Sequence, residues 1–254
     1  MNSQNTRTID AVETACRILN ALQERGPVGV TELAGELDLP KSVAHSHLAT
    51  LTENKYVVKD GGEYRLSFRN LSLARHVREQ FGAYDVIVDE LDNIADETGE
   101  VAQFGVEENG EVVYLGKSKG QTGVETASSV GSSAPVHSTS LGKAILSQLP
   151  EERVVEILNR RGMPRKTENT IVDRDEFLEE LQRIRERGYA IDNEENLTGV
   201  RCVAAPVGGS DGTILGALSV TGPSRRMEDE RIESELADTI TRTANVIEIN
   251  SKFS

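Results

Sequence analysis

Lys41, Ser42, His45 and Ser46 are the side chains whose types and spacing most directly suggest chemistry. Their offsets place them on one side of a helix. Short polar and cationic groups presented together on a helix can reach base edges in a duplex groove, and a lysine at a helix N-terminus suits a phosphate. His45 can donate to a phosphate or to a guanine acceptor. Lys59 and Arg65, in the hairpin that follows, are natural groove or backbone contacts. A second chemistry competes with this one. Cys202 could act as a nucleophile with His137 as its base, because a thiolate needs a nearby base or positive charge. That pair defines the alternative reading, an enzyme converting a small molecule. Gly142-Lys143 lacks the upstream glycine spacing of a phosphate-binding loop, and Cys16 and Cys202 make neither a metal-ligand set nor a disulfide framework. No cofactor, no metal and no catalytic residue are expected.

The surrounding elements explain how the first cluster would be presented. Val30 to Leu37 reads as a short amphipathic helix, Asp38-Leu39-Pro40 breaks it, and Lys41 to Leu51 reads as a second helix. Leu33, Ala34 and Leu37 would face Ala44, Leu48 and Leu51. Tyr56-Val57-Val58 and Tyr64-Arg65-Leu66 flank Gly61-Gly62 as a hairpin. A first helix, Thr8 to Glu24, carries apolar residues at Ile9, Val12, Ala15, Cys16, Leu19 and Leu22, with Thr8 as its N-cap and Gly26-Pro27 as its stop. Cys16 is expected to be buried on that stripe. Helix, tight turn, helix, hairpin is the plan of a winged helix-turn-helix, which sets its second helix in the DNA major groove.

Phe68 to Gln80 reads as a connecting helix, and Phe81-Gly82-Ala83 as the boundary. Three segments are expected: 1–67, the winged module; 68–81, the connector; and 82–254, a second domain. That domain opens with a helix, Tyr84 to Thr98, ended by Gly99. Strands 101–106 and 111–116 flank Asn109-Gly110, a strong hairpin signal. Val124 to Ser129 is expected to be a third strand, followed by a Ser/Gly-rich loop, 128–133. Helices are expected at Leu141 to Leu149, Glu151 to Arg160 and Asp173 to Arg187, and a short strand at Tyr189 to Ile191. Apolar strands 203–207 and 214–220 precede a terminal helix, Glu228 to Lys252. An antiparallel sheet flanked by helices makes this an α+β domain.

Four phrases in the second domain resemble the IclR-type family of transcriptional regulators: Pro135 to Ala144 (PVHSTSLGKA), Gly188-Tyr189-Ala190 leading to Asp192-Asn193-Glu194-Glu195, Gly199 to Val207 (GVRCVAAPV), and Ser219 to Pro223 (SVTGP). Their order and spacing match the family, and the winged module precedes them. The resemblance covers nearly the whole chain. It implies an N-terminal domain that binds a palindromic double-stranded DNA operator, and a C-terminal GAF-like domain that binds a small effector, often a carboxylate or aromatic acid. It also implies a homodimer or dimer of dimers, with contacts through the N-terminal domain and the connecting helix. The family's pocket positions correspond here to Ser140, Leu141, Asp192, Val200, Cys202, Ser219 and Thr221. Backbone N–H groups at Ser140 and Leu141 could hold a carboxylate with help from the helix dipole. Ser219 and Thr221, two apart on one strand, share a face. Asp192 is awkward beside an anion; it could accept from an effector hydroxyl or hold a loop, and with Glu194 and Glu195 it could also be a solvated acidic stretch. The family often has Arg where this chain has Ser46, so bidentate guanine reading from that position is not expected.

Charge sharpens the division. The chain of 254 residues carries 28 Lys/Arg and 42 Asp/Glu, a net charge of -14. Residues 1–80 hold ten of each sign, so the whole excess lies in 81–254. An acidic second domain disfavours an architectural role on DNA, because it would repel the duplex. Aromatics at 4% with no Trp imply aliphatic cores. No apolar run approaches the ~20 residues that span a bilayer, and Met1 to Asp10 lacks the apolar region of a signal peptide. A cytoplasmic protein with no membrane partner is expected. Only eight of the 28 cationic residues are Lys; an acidic, Lys-poor surface resembles proteins of salt-adapted organisms, including archaea. The thermal unfolding midpoint should therefore rise from dilute buffer to molar KCl, and a chain fully stable in dilute buffer that gains nothing from the salt contradicts this reading.

Overall fold

The computed structural model describes residues 8–124, 128–209 and 212–251. The chain divides into two compact units, Met1–Phe81 and Gly82–Ser254, and its class is α+β.

In the first unit, α1 (Asp10–Arg25) is followed by β1 (Val28–Gly29), α2 (Val30–Glu36), α3 (Lys41–Glu53), β2 (Val57–Asp60), β3 (Glu63–Leu66) and α4 (Arg69–Gln80). The strands form an antiparallel sheet in the order β1-β3-β2. Ile18, Leu22, Leu33, Leu48 and Tyr64 make its core. Three expectations need correction. Ile9, not Thr8, occupies the N-cap, and no side chain caps the helix. Cys16 is exposed, as are Ile9 (68%) and Val12 (58%), because only the C-terminal half of α1 is buried in this core. β1 was not foreseen, since two residues carry no periodicity. At the start of α4, Asn70 Nδ2 donates to the carbonyls of Tyr56 (3.0 Å) and Ser67 (2.9 Å), and the Arg69 guanidinium lies 5.1 Å over the Tyr56 ring. The rest of α4 buries nothing; Leu71 and Val77 stand open to solvent.

The second unit begins with α5 (Tyr84–Thr98), which ends on Gly99 in the left-handed region (φ 73°). β4 (Val101–Glu108) and β5 (Glu111–Lys119) form a hairpin through Asn109 and Gly110, both at positive φ, as a tight two-residue turn requires. The expected third strand at 124–129 lies partly outside the described residues. The strand that pairs with β5 is instead β6 (Ser133–Pro135), within and beyond the stretch read as a loop. Then come α6 (Ser140–Ser147), α7 (Glu151–Arg161), α8 (Arg174–Arg187), β7 (Ala190–Asn193), β8 (Val200–Gly208) and β9 (Ile214–Pro223). A short α9 (Asp229–Arg231) runs through a π-helical stretch, Ile232–Leu236, into α10 (Ala237–Ser251). The six strands are antiparallel in the order β6-β5-β4-β9-β8-β7. α6 and α8 pack a core of Val112, Leu141, Ile145, Phe177 and Leu181 against the sheet, while α5 and α10 pack on β4, β5, β8 and β9.

A buried carboxylate ties the two ends of this unit together. Glu100, 1% exposed, accepts from Arg226 (Nε 2.8 Å, Nη2 2.6 Å) and from Arg231 Nη1 (3.1 Å). Burial alone would raise its pKa, but the guanidinium hydrogen bonds outweigh burial and hold it below the usual range. Glu100→Gln should lower stability by about 2–3 kcal/mol near neutrality, since it strands two partly buried cations. Because the folded pKa is depressed, that contribution is complete above the unfolded pKa and is lost as pH falls through the folded one. Denaturant titrations of wild type and variant should therefore converge in acid; a gap independent of pH contradicts the assignment.

Candidate functional site

The first unit presents α3 by a sharp turn. Leu39 N–H bonds to Ala34 O (2.8 Å), Asp38 takes φ 52°, and Pro40, which has no N–H to lose, precedes the first residue of the helix. Ala44, Leu48 and Leu51 point inward. Lys41, Ser42, His45 and Ser46 are all exposed on the other side. The Ser46 hydroxyl donates to Ser42 O (3.0 Å) and that of Thr50 to Ser46 O (3.0 Å). Ser46 therefore offers lone pairs outward rather than a free donor. The two wing cations part company. Cross-strand pairing sets Lys59 beside Tyr64 and Val58 beside Arg65, and alternation along a strand puts these pairs on opposite faces. Lys59 Nζ lies 5.3 Å over the Tyr64 ring. Arg65 is half-buried, stacks 5.4 Å from Phe68 and donates to Leu66 O (3.3 Å). At the wing tip Asp60 faces Glu63, two carboxylates that would resist a phosphate.

In the second unit all seven residues named from the resemblance line one cavity of about 260 Å³. Ser140 and Leu141 open α6. Thr139 caps it, accepting from Gly142 N–H (3.2 Å) and donating to Pro135 O (2.8 Å). The first N–H groups of such a helix have no partner within it and carry its positive end. A Cβ on Gly142 would lie 2.2 Å from Val136 O, so only glycine lets this turn sit so close to the preceding strand. On the sheet, β-pairing lines up Asp192, Cys202 and Thr221 in one row and Ser219 with Gln103 in the next. Gln103 was missed in the sequence, although a lone amide inside the apolar strand 101–106 was a usable signal. Its Oε1 lies 3.0 Å from the Thr221 hydroxyl and its Nε2 donates to Ser128 Oγ (2.5 Å). Ser219 is 1% exposed and its hydroxyl has no partner. Tyr114, Asn196, Leu197 and residues of β6 also line it.

The electrostatics are unusual at the cavity's base. Asp192 is buried, and Oδ1 accepts from the N–H groups of Glu195 (2.7 Å) and Asn196 (3.3 Å). It therefore does hold a loop. Its pKa is pushed up to about 7, chiefly by burial, with Lys143 and the two N–H bonds opposing and Glu195 adding to the rise. Glu195 and Lys143 are buried too and form an ion pair. The acidic stretch is thus mostly interior, not solvated; of its three carboxylates only Glu194 is partly exposed. Burial also raises the Glu195 carboxyl and the Cys202 thiol, the latter with help from the Asp192 charge.

Cys202 and His137 are not assembled for catalysis. His137 lines a different cavity and its Nε2 lies 3.0 Å from Pro164 O, while the Cys202 sulfur sits 3.2 Å from Thr221 Oγ1. A thiol pushed upward by burial is a poor source of thiolate at neutral pH. Among the described residues no group of His, Cys, Asp or Glu could hold a metal ion, and no helix is long and apolar enough to cross a membrane.

Comparison with known proteins agrees with both units. Residues 11–61 match the IclR helix-turn-helix domain, and residues 83–249 match the bacterial transcriptional regulator IclR C-terminal domain. The chain is 30% identical over 252 residues to the probable HTH-type transcriptional regulator ArcR of Halobacterium salinarum, covering 98% of this chain and 96% of that one. The crystal structure of the Thermotoga maritima IclR superposes with a TM-score of 0.82 at 30% identity, covering 96% of this chain and 100% of the other. An IclR homolog from Microbacterium hydrocarbonoxydans, complexed with 4-hydroxybenzoate, shares the fold at a TM-score of 0.84 and 22% identity over 96% of this chain and 100% of the other.

The Lys143–Glu195 pair yields a direct test. Lys143→Met leaves a buried carboxylate uncompensated and should cost about 3–5 kcal/mol. Lys143→Met with Glu195→Gln should cost less than Lys143→Met alone, measured by chemical denaturation. A double variant less stable than the single one contradicts the pairing.

Proposed function

This chain belongs to the IclR family of transcriptional regulators, and from that premise we propose a dimer that holds a palindromic operator and whose affinity for it is set by a small organic acid. Each α3 meets one half-site in the major groove. Lys41 and the start of α3 take a phosphate; Ser42 and His45 reach base edges, and Ser46 accepts from an amino donor of adenine or cytosine. Lys59 and Arg65 contact backbone on different sides of the wing. The acid seats its carboxylate on the N–H groups of Ser140 and Leu141, with Asp192, Val200, Cys202, Ser219 and Thr221 around its body.

The observation that carries the ligand reading is the Ser219 hydroxyl. A buried hydroxyl without a partner costs about 1–3 kcal/mol, and this one lines the cavity at the head of α6. A ligand would supply the missing bond. The 4-hydroxybenzoate complex of the Microbacterium homolog supports an acid of this kind. Exposed Ile9 and Val12 on α1, with Phe68, Leu71 and Val77 at α4, support a dimer through the first unit; a dimer of dimers would join through further surfaces. The second unit senses rather than catalyses, and the protein works in the cytoplasm. α4, the last element before the second unit in sequence, carries the signal to half-site spacing.

Selection of duplexes from a random pool by the full chain should recover an inverted repeat. Lys41→Ala should then weaken operator and random duplex about equally and reduce the slope of log affinity against log salt by about one. A pool without enrichment would sink the DNA reading, and an unchanged slope would remove Lys41 from the phosphate contacts.

A further inference from the structure

The effector reading leaves a charge problem. Behind the cavity two carboxylates, Asp192 and Glu195, share one ammonium, Lys143, and all three are at most 5% exposed. Lys143 is engaged directly by Glu195, so Asp192 is the unbalanced charge, and it is the one of the three that lines the ligand cavity. Of the other titratable groups facing this cluster, Arg201 on β8 is a cation beside Lys143 and Glu195 but is paired with Asp229 and bonded to the Met227 carbonyl, and the rest leave Asp192 without one. Cys202 on β8 and Tyr114 on β5 are raised by burial and stay neutral. Glu180 on α8 adds negative charge toward Glu195 and is held by Arg183 and Arg187. His137, just before α6, is lowered by burial and by the charges of Lys166 and Lys143, so it adds no cation. A carboxylate entering on the N–H groups of α6 would be a second negative charge in a water-poor space beside Asp192.

Resting on the effector reading above, we propose that the acid binds together with a proton: Asp192 takes one proton from solvent as the ligand's carboxylate enters, and in its neutral form donates to the ligand. The charge of the cavity is then the same before and after binding. The same placement explains why an acidic residue stands in an anion's pocket, since a protonated carboxyl is a donor and an ionised one is not. Asp192 is already poised for this, because burial brings its pKa up to about 7.

The test uses the full chain with acetate, glycolate, benzoate, 4-hydroxybenzoate and glycine as probes, titrated on both sides of neutrality. For a probe acid that binds, affinity should fall about tenfold per pH unit above the Asp192 pKa, as uptake of one proton demands, and calorimetry in two buffers of different ionisation heat should count close to one proton well above that pKa and close to none well below it. Asp192→Asn, which keeps the acceptor for the Glu195 and Asn196 N–H groups, should flatten the profile. Without ligand, the raised pKa means that ionisation of Asp192 opposes folding, so wild-type stability falls as pH rises through that pKa; the melting gain from Asp192→Asn should be larger on the alkaline side. A pH-independent affinity in wild type overturns the proton pairing and leaves the acid site intact. Glycine binding better than glycolate without pH dependence also overturns it, because the ligand's ammonium then supplies the charge. Failure of every acid at every pH overturns the effector reading, and this inference with it.

Discussion

One ammonium shared by two buried carboxylates sets the terms for the second unit. Taking a charge out of water is tolerable only when it is paired and hydrogen-bonded. Lys143 meets that demand for Glu195, and backbone N–H groups meet it in part for Asp192. The residues involved come from α6, from β7 and from the loop after it, so satisfying them fixes α6 over the sheet. The loop is further bound by Thr167 and Thr170, whose hydroxyls donate to Glu195 O (3.2 and 2.7 Å). Gly142 permits the close approach of α6 to Val136. The space left between the head of α6 and the polar rows of the sheet is the cavity. Its polarity therefore follows from the same contacts that hold the fold together.

The first unit solves a different electrostatic problem. It must approach a polyanion while belonging to a chain with a net charge of -14. Confining the excess to residues 81–254 leaves residues 1–80 neutral overall, so attraction depends on where the few cations of the winged module stand. Lys41 sits at the N-terminal end of α3, where the helix dipole adds to its charge. The wing contributes less than its sequence suggests, with Arg65 stacked on Phe68 and a carboxylate pair at the tip. Affinity from so few cations is modest and strongly salt-dependent. In the proposed dimer, two linked half-sites would compensate by making the second contact effectively intramolecular.

Periodicity made the main elements legible: helices α2, α3 and α5 follow from their apolar spacing, and the Asn109-Gly110 turn from its chemistry. Long-range geometry was not legible. The stripe of α1 was read correctly as apolar but its burial was overestimated, because a monomer core covers only part of it; Cys16 shows the difference. β6 escaped because Ser133 and Ala134 have weak strand preference and are ordered by pairing with β5. In the cavity, the residues named from family resemblance lie together, whereas Gln103 beside them and Lys143 behind them were overlooked. Lys143 stood next to a glycine and was weighed only as part of a phosphate loop. Its partner lies 52 residues away in sequence, a distance no local pattern bridges. Lys59 and Arg65 were read as equivalent, and only the strand register separates them.

The central claim is that one cavity and one polar helix face, on separate units of a single chain, are thermodynamically coupled. Coupling of this kind is reciprocal. The most direct measurement is the affinity of a bound acid for the full chain alone and for the same chain saturated with operator. The two values are expected to differ by the factor by which that acid changes operator affinity, roughly 5- to 150-fold. Equal affinities in the two states would contradict the claim.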